Sequence, residues 1–132
     1  MQMMLDTNIC IYIIKNRPEH VKKQFRKFHI GELCISSITV AELMYGAYKS
    51  QYQSKNLKVI ENFLMPFEIV NFDYEASVKY GEIRADLERK GTVIGSLDMQ
   101  IAGQALALNL TLVTNNTKEF KRVKGLLLDN WV

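Results

Sequence analysis

Short apolar runs alternate along this chain with longer stretches whose apolar residues recur at helical spacing. Met1 to Leu5 form the first run, which stops at Asp6, Thr7 and Asn8. Ile9 to Ile14 form a second, read as a short helix or helical turn because period alone does not separate helix from strand over so few residues. Pro18 suits the opening turn of a helix over Glu19 to Phe28, with Val21, Phe25 and Phe28 as its apolar side. Gly31 breaks that pattern, and Leu33 to Ser36 read as a second strand. Ser37 or Thr39 is the expected cap of a helix through Val40 to Tyr48, which places Glu42 near its first turn. Gly46 within that helix suggests close packing against a neighbour.

A polar break at Ser50 to Ser54 precedes an amphipathic helix marked by Leu57, Ile60, Phe63 and Leu64, ending before Pro66. Phe67 to Val70 read as a third strand. Asp73 is the expected N-cap of a long helix over Tyr74 to Lys90, with Val78, Ile83 and Leu87 on its apolar side and Gly91 at its end. Ser96 is the expected cap of a small-residue helix continuing through Met99 to Ala107, with Asp98 in its first turn. Leu110 to Val113 give a fourth strand, followed by a polar cluster from Thr114 to Glu119. Leu126 to Leu128 suit a last edge strand, and Trp131 an anchor for the tail. Strands followed by helices, repeated in this way, predict an α/β sandwich with a mostly parallel sheet. The 132 residues suit one domain over 1–132 with a substantial core.

Composition narrows the class without naming a chemistry. The chain is 48% hydrophobic and 23% charged, as ordinary globular proteins are. Its net charge of +3 is compatible with a polyanionic partner. Cys10 and Cys34 lie in apolar surroundings without metal-ligand spacing and read as buried thiols of a reducing compartment. His20 and His29 sit in a charged stretch and are expected to face solvent. No signal peptide and no membrane span is evident, so a cytoplasmic location is expected.

Parallel strands bring their carboxyl ends to one edge of the sheet, where open α/β folds bind ligands. Asp6 and Glu119 each follow a strand there, and Glu42 and Asp98 enter from helices able to pack behind the same edge. Four acids without histidine or cysteine describe a site for a hard cation, Mg2+ or Mn2+, which prefers oxygen ligands. Such an ion offsets the mutual repulsion of the carboxylates and supports phosphodiester hydrolysis. Thr7, Asn8, Thr114 and Asn116 suit supporting hydrogen bonds. Lys22, Lys23 and Arg26, Arg84, and Lys121 with Arg122 are candidates for contacts to a nucleic-acid backbone. No GxGxxG, P-loop or GxSxG motif is present. An aspartyl-phosphate mechanism lacks its second aspartate, since Asn8 holds that place.

Leu5-Asp6-Thr7-Asn8, the Ala41-Glu42-Leu43 segment, Asp98 before Ile101-Ala102, and Val113 to Phe120 together resemble the PIN-domain ribonucleases. Among these the pattern is most similar to the VapC toxins of bacterial toxin–antitoxin pairs, of the enteric type, and the resemblance spans essentially the whole chain. It implies a PIN-like three-layer sandwich and a Mg2+- or Mn2+-dependent endoribonuclease that halts translation. The implied metal-binding acids are Asp6, Glu42 and Asp98, with Glu119 at the fourth position assisted by Asn116. The implied substrate is RNA, most closely the anticodon loop of initiator tRNA. The implied partners are a second copy of the chain and a VapB antitoxin, with operator DNA bound only through the antitoxin complex and no membrane. Gly103 departs from the alanine commoner at its position, which bears on packing more than on chemistry. Tyr12, Tyr45 and Tyr48 suit the core or an interface, with base stacking as the alternative. Competing readings are a catalytically silent RNA- or protein-binding module, a PIN nuclease of RNA processing, and a hydrolase of small phosphate esters.

Overall fold

Five short strands lie side by side in the order β3-β2-β1-β4-β5, and every pairing is parallel. They are β1 (Met3–Leu5), β2 (Leu33–Ser36), β3 (Glu68–Val70), β4 (Thr111–Val113) and β5 (Leu128–Asp129). The computed structural model describes residues 1–132. The expected sandwich is present, and its sheet is parallel throughout rather than mostly so. A parallel sheet is covered on both faces, so its central strands are apolar without alternation; β2 is buried at every position, whereas the edge strand β3 is largely exposed.

Neighbouring residues on each strand feed two separate cores. Met4, Cys34 and Leu112 point into one with Ile83, Leu87, Ile101 and Phe120. Leu5, Leu33, Ile35 and Val113 point into the other with Ile9, Val21, Leu43 and Trp131. The first face is covered by α5 (Tyr74–Lys90) and α6 (Ser96–Ala107), the second by α1 (Thr7–Lys15), α2 (Glu19–Phe25), α3 (Ser37–Tyr48) and α4 (Gln53–Leu64). A single turn of helix, α7 (Thr117–Phe120), occupies the polar cluster after β4. Trp131 anchors the tail, as expected, by stacking on Phe28 at a centroid distance of 5.4 Å.

Several local expectations need correction. Ser36, not Ser37 or Thr39, caps α3, its hydroxyl accepting from Ile38 N at 2.9 Å. Glu42 therefore lies in the second turn of α3. Gly95 occupies the cap position of α6, and Ser96 is the first helical residue. The basic helix α2 ends at Phe25 rather than Phe28, and Pro18 stands at its N-cap. Phe67 and Leu110 are buried but precede their strands, and β5 begins two residues later than expected. Val78 is 40% exposed, because α5 turns Ala76, Ile83 and Leu87 inward instead.

The glycine expectation also moves. A Cβ at Gly46 would meet nothing within 4 Å, so that residue permits no close approach. A Cβ at Gly103 would stand 2.9 Å from Ala76 O and 3.1 Å from Tyr80 N. Gly103 thus lets the backbone of α6 lie against α5, and Ala102 and Ala105 beside it are small where other helices carry larger side chains.

Candidate acidic site at the strand edge

The chain order along the sheet reverses at β1: β2 and β3 extend to one side, β4 and β5 to the other. Ligand crevices in open α/β sheets form at such reversals, beyond the carboxyl ends of the strands. Asp6 leaves β1 there, its N–H donating to Val113 O of β4 at 2.9 Å. Thr114 leaves β4 beside it.

One run of hydrogen bonds joins most of the candidate residues. Asp6 caps α1, with Oδ1 accepting from Thr7 N at 2.9 Å, while Oδ2 accepts from Thr114 Oγ1 at 2.7 Å. Thr114 Oγ1 in turn accepts from Asn116 N at 3.0 Å, and Asn116 Nδ2 donates to Glu119 Oε2 at 3.0 Å. On the other side, Thr7 Oγ1 donates to Glu42 Oε1 at 2.8 Å. Because that proton is committed, the 3.0 Å contact between Thr7 and Thr39 hydroxyls has Thr39 as its donor. The same carboxylate thus caps α1 and joins the network of candidate residues.

Asp98 stands apart from this network. Burial, then Asp6, Glu42 and Glu119, push its carboxyl up to about 6. No cation and no hydrogen bond act in the opposite direction. Burial also raises Asp6, against the lowering effect of Thr114 and Thr7 N, and Glu42 adds to the rise. All four ion pairs of the protein lie along α5, joining Lys79 to Glu82, Arg84 to Glu88, and both Arg89 and Lys90 to Asp86. Asp98 thus senses the other three acids, and no protein cation balances it or Asp6. Like charges oppose closer approach, and no three of these groups stand close enough together to enclose an ion as they are placed. The donor set, carboxylate oxygen throughout, fits a hard divalent cation and does not fit zinc.

Of the other candidates, Thr7, Thr114 and Asn116 join the network, while Asn8 is exposed outside it. Lys22 donates to Asn16 Oδ1, and Arg84 is shared between Glu88 and the Tyr80 hydroxyl. Lys23, Arg26 and Lys121 are exposed, and Arg122 is partly buried. His20 and His29 face solvent as expected. The thiols are buried; Cys34 is pushed up to about 11, mainly by burial, and Cys10 is raised further for the same reason.

Thr39, weighed above only as a helix cap, and Gln104 have roles in the site region that sequence reasoning missed. Thr39, fully buried, steers Thr7 and through it Glu42. Gln104 accepts from the Ser36 hydroxyl and donates Nε2 to Val70 O at 3.0 Å, tying α6 to the ends of β2 and β3. A glutamine within an otherwise small and apolar helix was the available signal for the second.

The PIN domain family model matches residues 3–126. The chain is 46% identical over 131 residues to the tRNA(fMet)-specific endonuclease VapC of Salmonella typhimurium, covering 99% of this chain and 98% of that one. It is 46% identical over 132 residues to ribonuclease VapC of Haemophilus influenzae, covering 100% and 99%. Among solved structures, DNA-bound VapBC from Salmonella typhimurium superposes with a TM-score of 0.94 at 45% identity, over 100% of this chain and 99% of that one. VapBC2 from Rickettsia felis, bound to a promoter DNA fragment, gives 0.91 at 44% identity over 100% of both chains.

Proposed function

The chain belongs to the PIN-domain family, among the VapC ribonucleases, and from that membership we propose a divalent-metal-dependent endoribonuclease whose substrate is the anticodon loop of initiator tRNA. The observation that carries the reading is the set of four acids at the β1–β4 crevice, in which Asp98 is opposed by the other three with no protein cation to balance it.

Asp6, Glu42, Asp98 and Glu119 are the residues that would hold Mg2+ or Mn2+. A divalent ion bound there supplies charge compensation, a more acidic water and stabilisation of the leaving oxygen. The chain's own contribution is placement. Thr114 and the Thr7 amide fix both oxygens of Asp6, so its orientation is set before any ligand arrives. The Thr39–Thr7 relay turns Glu42 toward the crevice, and Asn116 turns Glu119. Asp98, held by no hydrogen bond, keeps its full capacity to accept a cation. Single-stranded loops suit such an open site, because their bases and backbone are accessible where A-form helices are not.

A VapB-type antitoxin is the expected inhibitor, acting on a homodimer of this chain and carrying any operator DNA contact. Between α1, α3 and α4 runs an apolar groove of about 320 Å3, lined by Ile11, Ile14, Leu43, Ala47, Val59 and Ile60 and bordered by Glu42. An apolar segment of the antitoxin seated there brings a neighbouring cationic side chain to the acids.

The test is incubation of the purified protein with total bacterial RNA and with isolated initiator tRNA, in Mg2+, Mn2+ or EDTA, followed by mapping of the ends. A discrete cut in the anticodon loop, absent in EDTA and in Asp98→Asn, is the expected result. Binding of RNA without any cutting under metal would replace this reading with that of a silent binding module.

A further inference from the structure

The α3–α4 elbow combines exposed aromatic rings with unopposed positive charge. Tyr45, Tyr48 and Tyr52 are 66%, 58% and 63% exposed, although tyrosine rings are ordinarily placed where their apolar body is covered. From Leu43 to Ile60 the chain carries Lys49, Lys55 and Lys58 and no acidic residue. Lys49 Nζ lies over the Tyr45 ring, 4.9 Å from its centroid. We propose that this elbow is a stacking platform for single-stranded RNA leading to or from the acidic site, an inference that rests on the ribonuclease reading above.

Position on the helix supports the assignment. Glu42 and Tyr45 on α3 and Lys49 at its C-cap, still in right-handed helical conformation, are spaced three and four residues apart, so they form one stripe along its surface. A strand whose scissile bond reaches Glu42 therefore meets Tyr45 within a turn of helix, and the lysines attract the phosphates that follow. Stacking on aromatic rings with basic residues between them is how proteins bind single strands without reading every base. The elbow is also fastened from within. Ser50 Oγ donates to Ala47 O at 2.6 Å, Asn56 Nδ2 to Ser50 Oγ at 2.8 Å, and Gln53 Nε2 to Tyr48 O at 2.7 Å. Rings presented on a rigid turn lose little freedom when a base stacks on them.

The experiment measures binding separately from cutting. Full-length Asp98→Asn protein is titrated into a fluorescent stem-loop RNA of anticodon-arm size, and the elbow variants are made in that background. Tyr45→Ala, Tyr48→Ala and Tyr52→Ala are each expected to weaken binding by about ten-fold, and tyrosine-to-phenylalanine changes by less than about two-fold. Lys49→Gln is expected to flatten the salt dependence. On the unmutated elbow, 4-thiouridine in the loop is expected to crosslink to one of the three tyrosines, a readout independent of variant folding. Alanine variants that bind as tightly as the parent, or crosslinks confined to other segments, would overturn the proposal. So would binding that weakens only as light scattering shows a dimer dissociating, which assigns the elbow to a second copy of the chain. Parent protein that binds and crosslinks at the elbow while wild type cuts no RNA would leave the platform standing and remove the ribonuclease.

Discussion

At Thr114 one hydroxyl does two things: it donates to Asp6 Oδ2 and accepts from Asn116 N, which leads on to Glu119. Thr114→Val keeps the shape and removes both bonds. Asp6 is only 4% exposed, so its freed oxygen is expected to cost roughly 1–3 kcal/mol in stability. RNA cutting is expected to fall about 10- to 100-fold, and Thr114→Ser to recover most of it; urea unfolding and initial rates read the two effects. Asp98→Asn should separate stability from activity. A carboxyl whose folded value is about 6 against an unfolded 3.8 holds its proton more tightly in the native state. Native protein then loses stability as pH rises from about 4 to about 6, and the full cost remains above that range. In EDTA at neutral pH, Asp98→Asn is therefore expected to gain roughly 1 kcal/mol after allowance for solvent screening, or about 3 °C in Tm. At pH 4 the gain should vanish, while cutting under metal falls more than about 100-fold at neutral pH.

Two helical glycines, Gly46 and Gly103, should respond to alanine in opposite directions. Gly103→Ala drives a methyl group against Ala76 O and Tyr80 N, backbone atoms that move only if α5 and α6 separate. A loss of about 1–3 kcal/mol is expected. Gly46→Ala adds its methyl in open space within α3 and should gain roughly 0.5–1 kcal/mol from helix propensity alone. Chemical denaturation of the two variants beside wild type checks the contrast. Stability lost at Gly103 also reaches the site, since α6 carries both Asp98 and the Gln104 tie to Ser36 and Val70.

Across the whole molecule, two cores hold a sheet whose reversal at β1 gathers acids from four separate segments. Keeping those charges together without a counter-ion opposes folding, so a ligand cation should stabilise the native state by mass action. Mn2+ at about 100 times its dissociation constant is expected to add roughly 2.7 kcal/mol, seen as a rise in Tm that EDTA reverses. Asp98→Asn should blunt that rise, whereas Gly46→Ala should leave it intact.

The sequence by itself determined the classes of element and most of their positions. Unalternating apolar runs dictated buried parallel strands, and the spacing of Ile83 and Leu87 dictated a helix over Tyr74 to Lys90, with Asp73 as its cap. It also singled out the four acids, because a carboxylate just after a strand, as at Asp6 and Glu119, or near the start of a helix, as at Glu42 and Asp98, is a local signal. Caps were less legible. Ser36, Ser37 and Thr39 offer the same hydroxyl chemistry, and only the chain direction leaving β2 decides which one meets an open N–H. The strand order 3-2-1-4-5 was not local at all: it follows from how α5 and α6 carry the chain across the sheet to place β4 beside β1. That crossing decided that Thr114 would face Asp6 across 108 residues of sequence, while the parallel pairing of β1 and β2 sets Thr39 beside Thr7 and through it steers Glu42. Hydrogen bonds between distant segments depend on relative placement, which no periodicity within a segment encodes.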